Sequence, residues 1–297
     1  MQHNKVFMSL AGLRVNEQFH YNKYFQIFPF GPKADITFAQ GFFDVAMGMN
    51  PKPKTVAISV ADSEFPQTAA IGARHWAKKY DLNVVYDRSF PANQLDFAPI
   101  IRAIQATNPD IVYITCFPPN AVGIVHAVRE SSFRPTLIGG GMVGPQYASV
   151  KQQLGSLLNG FLSFESFVPE PTTNFPGIKE FLDRYKQKAV AAGVDALGYY
   201  LPPFSYAGMQ ILAAAAEATK SLDQNKMAEY IHNDTHHTIV GDIRFGSDGE
   251  WAQARMFQVQ YQKINGNGLE QFEHPGTQVI LFPSAYKSGS LEYPFPQ

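Results

Sequence analysis

Cysteine is almost missing from this chain: Cys116 is the only one in 297 residues, which excludes an internal disulfide framework and a cysteine-ligated zinc site. Charge is sparse and even, 24 Lys and Arg against 25 Asp and Glu, and no basic run exists to track a phosphate backbone, so nucleic acid is not expected as a partner. No apolar stretch approaches the roughly 20 residues that span a bilayer. The best window, Met209 to Ala216, follows an amphipathic helix pattern, so an integral membrane protein is not expected. The basic start, apolar stretch and small-residue cleavage site of an export signal are also absent from the chain as given; residues 1–30 read as strand, turn and strand. Internal repeats and low-complexity tracts are missing too.

What is present is a large apolar fraction, 45% hydrophobic against 16% charged, enough for a core spread over two lobes. Short β-branched runs alternate with helix-period stretches. Thr55 to Val60 precedes a helix over 66–80, and Asn83 to Phe90 precedes one over 96–107. Ile111 to Thr115 precedes one over 119–131, and Thr136 to Ile138 follows. This alternation predicts right-handed βαβ units and a parallel sheet, and the lack of polar alternation within the strands predicts helices on both faces. A Pro-rich link (Pro169, Pro171, Pro176) then leads to helices near 177–192, 203–218 and 225–233. Strand-like runs follow at 241–245, 256–264 and 278–282, and a Pro- and Ser-containing tail is expected on the surface. The helices over 177–233 have apolar faces and no strands of their own to cover, which calls for a second sheet of which the first 30 residues offer only a part.

Three segments in order, TVAISVADSEFPQT (Thr55 to Thr68), DFAPIIRAIQATNPDIVYITCFPPNAVGIVHAVRE (Asp96 to Glu130) and PTLIGGG (Pro135 to Gly141), resemble one lobe of the branched-chain amino-acid-binding proteins of ABC importers. The likeness continues through YLPPFSYAGMQILAAAAEA (Tyr200 to Ala218), IVGDIRFGSDGE (Ile239 to Glu250) and VILFPSAYKSGSLEYPFP (Val279 to Pro296). At the front, NKVFMSLAGL (Asn4 to Leu13) and KYFQIFPFGPKAD (Lys23 to Asp35) are similar to the last strand of the family's N-lobe and its first interlobe crossing. The resemblance implies an α/β, two-lobed fold of the periplasmic-binding type with parallel sheets flanked by helices. It also implies an incomplete N-lobe, family members carrying roughly a hundred further upstream residues. Residues 1–29 with 164–255 are expected in that lobe, and 30–163 with 256–297 in the other.

The same resemblance implies a ligand carboxylate against the loop Ser9 to Leu13, where the small Ala11 and Gly12 let backbone N–H groups approach an anion. The position that often carries a hydroxyl falls at Leu13. Phe65 and Phe117 are expected to face the cleft where relatives often have tyrosine, and Gly141 stands where an acid often meets the ligand's ammonium. Glu165 replaces that charge if it faces the cleft; on a solvated hinge it does not. A buried zwitterion without a counter-charge costs several kcal/mol, so an aromatic or apolar carboxylate, or an amide, competes with an amino acid as ligand. Tyr199 and Tyr200 either line the hinge or anchor the helix after them.

Other chemistry has weaker support. Gly139, Gly141 and Gly144 form G-x-G-x-x-G after a strand, with Glu165 about twenty residues on. Pro145, a short following helix and a late position in the lobe favour a plain turn. Glu229, His232 and His236 have helical spacing for metal ligands, against a helix-end cap. Cys116 and His126 have no sequence reason to touch, and Asp62 and Glu64 are expected to serve loop solvation or a helix N-terminus. The resulting expectation is a solute-binding component of an ABC importer, periplasmic, with a small-molecule ligand (amino acid, aromatic carboxylate or amide) and permease subunits as partners. No enzyme activity, cofactor or metal is expected. Alternatives are an amide-sensing regulator of the same fold, an enzyme using a nicotinamide cofactor at the glycine-rich turn, and a fragment without binding activity.

Overall fold

The computed structural model describes residues 3–296. Strand β1 (Phe7–Ser9), a short helix α1 (Val15–Phe19) and strand β2 (Tyr24–Gln26) open the chain, and the two strands pair in parallel with Phe7 opposite Tyr24 and Ser9 opposite Gln26. After a crossing at residues 27–33 come α2 (Ala34–Met47), β3 (Thr55–Asp62), α3 (Glu64–Lys79), β4 (Asn83–Pro91), α4 (Ala98–Gln105) and β5 (Ile111–Cys116). Next are α5 (Pro118–Glu130), β6 (Leu137–Met142), α6 (Ala148–Leu154) and β7 (Leu162–Glu165). The chain then recrosses to α7 (Ile178–Ala192), α8 (Pro202–Thr219), α9 (Gln224–Asn233) and the hairpin β8 (His236–Thr238) with β9 (Gly241–Ile243). It returns once more for β10 (Phe257–Tyr261) and β11 (Gln278–Phe282).

The main sheet has the order β11-β10-β7-β6-β5-β3-β4. Its five central and outer strands β3 to β7 are parallel, while β10 runs antiparallel to both β7 and β11. Val112, Ile114 and Cys116 of β5 join the larger core, and Ile111 and Tyr113 face Phe42 and Phe43 of α2 in a second one. Helices therefore cover both faces, which is why the strands read as continuous apolar runs.

The glycine run is a correction to the sequence reading. Gly139 to Gly141 lie inside β6, not in a turn after it. A Cβ on Gly139, at φ +121°, would overlap the carbonyl oxygen of Leu162, and one on Gly140 would meet the ring of Tyr113 at 2.7 Å. Close strand approach and an inward tyrosine thus account for the glycines without a pyrophosphate. The strand β7 runs through Glu165 because Phe164 and Glu165 pair with Gln258 and Phe257, two residues past the 163/164 boundary expected from sequence. Strand β8 was not foreseen, since three residues, two of them histidine, carry no apolar period.

On α8, Phe204, Ala207, Ile211 and Ala215 are buried, whereas Tyr206 is 46% and Met209 64% exposed. Phe7 on β1 is 51% exposed, and β2 is the one strand partner of β1 among the described residues. Also among these residues, no helix is long and apolar enough to cross a membrane.

Candidate ligand-binding cleft

Parallel strands place all their C-terminal ends on one edge, and an α/β sheet binds ligands outside that edge. Here the edge carries aromatic rings. Phe65 enters α3 just after β3, Phe117 caps the start of α5 just after β5, and Phe164 lies in β7. Phe65 and Phe117 have ring centroids 6.0 Å apart; Phe38 of α2 joins them at 5.4 Å from Phe65 and 4.5 Å from Phe164. The row continues into the first crossing through Phe30, 6.2 Å from Phe38, and Phe28, 5.0 Å from Phe204 of α8. Phe117 remains 38% exposed at the open end. Pro118 and Pro119 begin α5, so that helix start offers apolar surface in place of two N–H donors.

The loop after β1 is held from behind. Ser9 Oγ donates to the carbonyl of Ala11 at 2.9 Å, and the buried Gln26 donates from Nε2 to the carbonyl of Gly12 at 2.9 Å. Gly12 takes φ +95°, a conformation that favours glycine. The N–H groups of Gly12 and Leu13 have no hydrogen-bond partner among the described residues, while the Leu13 side chain is in the core. Arg14, the next residue, stands 3.6 Å from Asp35 in the first turn of α2. Asp35 is one helical turn before Phe38, so the loop end and the aromatic row meet at the start of α2. In the sequence Arg14 carries no signal beyond that of a single basic residue after Ala11, Gly12 and Leu13.

Gly141 is a second position where structure adds a cause. A Cβ there would stand 2.8 Å from the hydroxyl of Tyr113 and 3.0 Å from the carbonyl of Ile114. Tyr113 is fully buried and its hydroxyl finds no partner among the described residues. No acidic side chain fits at this position without moving the tyrosine.

Neither expected setting holds for Glu165. Its side chain is fully buried, 3.4 Å from the equally buried Lys151 Nζ, and its Oε1 accepts a 3.0 Å hydrogen bond from Tyr261. Burial holds its carboxyl above the usual carboxylate range, against the pull of Lys151 and Tyr261. The charge expected for the cleft or for a wet hinge is spent inside the protein, because β7 carries this residue between α6 and β10.

Two contacts that tie the α7–α8 region to the main sheet were also missed. Asp195 accepts the N–H of Ala148 at 2.7 Å, so a carboxylate distant in sequence caps α6, while its other oxygen accepts from Leu197 and Gly198. Lys186 of α7 pairs with Glu273 at 2.7 Å. Lys186 and Glu273 line a hollow of about 560 Å³ together with Phe167, Leu182 and Tyr199 among others, which shares no residue with the aromatic row. Tyr199 is buried there, donating to Phe272 O at 3.3 Å, and Tyr200 packs 5.6 Å from Phe28.

The metal pattern on α9 is not assembled. The helix ends at Asn233, so His236 falls on β8 and bonds the carbonyl of Ile231, while His232 lies 4.6 Å over Phe25. Cys116 is buried among apolar residues, which pushes its thiol up. Asp62 and Glu64 are both exposed, Glu64 in the first turn of α3.

Glu250, in the turn beside β2, is 5% exposed, and burial with the nearby Asp248 pushes its carboxyl up to about 8. A folded-state value raised above the unfolded one contributes stability that is full at acid pH and is lost as pH rises through about 8. Glu250→Gln should therefore gain on the parent as pH goes from 6 to 9, by roughly 1–3 kcal/mol at the alkaline end. Urea unfolding at both pH values tests this; a pH-independent difference would remove Glu250 as the cause.

The fold belongs to a recognised class. A model of the periplasmic binding protein family matches residues 1–267, and the chain belongs to that family. Leu/Ile/Val-binding protein homolog 7 of Brucella abortus (strain 2308) is 22% identical over 254 residues, covering 84% of this chain and 60% of that protein. The chain thus spans about three fifths of the length of this curated relative. Among solved structures, a leucine binding protein from Thermotoga maritima superposes with a TM-score of 0.69 at 19% identity, over 85% of this chain and 68% of the other. An ABC transporter solute binding protein from R. palustris, in complex with benzoate, gives 0.68 at 12% identity, over 93% of this chain and 69% of the other. These likenesses establish the two-lobed α/β fold.

Proposed function

We propose that this chain is the solute-binding component of an ABC importer, working in the periplasm and delivering a small organic solute to permease subunits. Residues 3–29 with 166–255 are assigned to one lobe and 30–165 with 256–296 to the other, the boundary falling after Glu165 because Phe164 and Glu165 pair with β10. The ligand lies between the loop Ser9, Ala11, Gly12 and the aromatic edge with Phe65, Phe117 and Gly141. Glu165 is left out of the site, because it is sealed in a buried ion pair. The observation that carries this reading is the Arg14–Asp35 contact of 3.6 Å, which joins the end of the loop to the first turn of α2, one helical turn before Phe38 of the aromatic row. Lobe closure over such a cleft couples ligand burial to a shape that a permease can recognise, and the chemistry calls for no bond to be made or broken. Amino acids, aromatic carboxylates and amides are the ligand classes; the leucine- and benzoate-binding neighbours support the first two.

Calorimetric titration of the purified chain with these three classes should give a saturable heat with one of them. A cooperatively melting protein that binds none would sink the reading. Phe117→Ala should weaken the ligand by about 2 kcal/mol through lost apolar burial, measured as a change in Kd. An unaltered Kd removes Phe117 from the site.

The exposed Phe7, Tyr206 and Met209, with β2 the one strand partner of β1 among the described residues, favour a second reading, a polypeptide that does not bind solute by itself. Binding of a hydrophobic dye to the native state, with a broad melt, would support it.

A further inference from the structure

We propose that Arg14 anchors the ligand's carboxylate and that the ligand is an aromatic monocarboxylate without an ammonium group. This rests on the solute-binding reading and narrows it.

The first part follows from the guanidinium. Arg14 touches Glu17 at 3.2 Å and Asp35 at 3.6 Å, both through Nε. Its two terminal nitrogens make no hydrogen bond among the described residues, which leaves the edge that receives a carboxylate in a two-point fork. The side chain is 48% exposed, so a ligand can reach it. Asp35 is 11% exposed and fixed in the first turn of α2, where the helix dipole favours a carboxylate. Glu17 is 54% exposed on a five-residue helix and is the partner a ligand displaces. Gly12 and Leu13, with their unpaired N–H groups, precede Arg14 directly.

The second part follows from the acids. An ammonium buried against Phe65 and Phe117 needs a desolvated, charged carboxylate, and the acids that come nearest to this among the described residues are otherwise engaged. Tyr113 fills the space at Gly141, Lys151 holds Glu165, Arg14 stands 3.6 Å from Asp35, burial in the turn beside β2 raises the carboxyl of Glu250 to about 8, and Asp62 and Glu64 stand in solvent. An aromatic ring on the row Phe65, Phe117 and Phe38 satisfies the wall, and its carboxylate satisfies the fork.

The test is calorimetry on the full chain with benzoate, hydrocinnamate, benzamide, leucine and phenylalanine. Benzoate or hydrocinnamate should bind at least tenfold tighter than either amino acid. Arg14→Gln should weaken the carboxylates tenfold or more and leave benzamide within twofold. Glu17→Gln should tighten them, a gain that a merely structural Arg14 would not produce. Tighter binding of leucine or phenylalanine overturns the ligand class and leaves the binding-protein reading standing. Unchanged carboxylate affinity in Arg14→Gln, with a parental melting temperature, overturns the anchor. Binding of none of the five by a folded chain overturns this inference and removes support from the broader reading.

Discussion

Lys151→Met should lower the unfolding free energy by about 3–5 kcal/mol, because it leaves Glu165 buried without its partner. Both side chains are fully buried, and the second oxygen of Glu165 has no hydrogen-bond partner among the described residues. Methionine matches the lysine stem in length, so the loss is one of charge and not of packing. Burial already raises the carboxyl of Glu165, and removal of the ammonium raises it further. For a raised carboxyl, stability is full below the unfolded value and falls as pH climbs through the folded one. The deficit of Lys151→Met should therefore be larger at pH 8.5 than at pH 5.5, and adding Glu165→Leu should recover most of it. Urea unfolding of the parent and the two variants decides the matter: a single variant within about 1 kcal/mol of the parent at both pH values would show that the pair is not the isolated buried charge described here.

Gly139→Ala should destabilise by roughly 3 kcal/mol or more. Gly139 sits at φ +121°, and its Cβ would overlap the backbone of Leu162, which cannot swing aside as a side chain can. The same residue pairs with Leu162, the one ladder step recorded between β6 and β7. Loss of that step separates the parallel part of the sheet from β10 and β11. Thermal melts and expression of soluble protein report it. Gly144→Ala is a useful comparison, since its Cβ would meet the side chain of Ala121 and the helix start at Pro118 without a positive φ. If Gly139→Ala melts like the parent, the close approach of β6 to β7 is looser than described.

The alternation of strand and helix from Thr55 onward was legible because each run carries its own period, and both faces of the sheet are covered. Phe65 and Phe117 were legible as edge residues because parallel strands end on one side; the structure brings them within 6.0 Å of each other. Arg14 was not legible. Its neighbour Asp35 comes from another element, and no local pattern marks a contact across a crossing. Glu165 was misjudged for a related reason. A glutamate at a strand end reads as solvated until one knows that Lys151 of α6 and Tyr261 of β10 close over it. The glycines of β6 posed the opposite problem, a familiar short motif whose cause is the ring of Tyr113 and the backbone of Leu162.

Local sequence thus determined the class of this protein: helices, parallel strands, an α/β architecture and the family it resembles. Periodicity and turn chemistry act over a few residues and survive in any context that buries the same faces. Tertiary structure alone decided where charge resides. The cost of a buried carboxylate depends on partners tens to hundreds of residues away, and the packing of elements distant in sequence determines which acids are neutralised and which aromatic rings stay exposed.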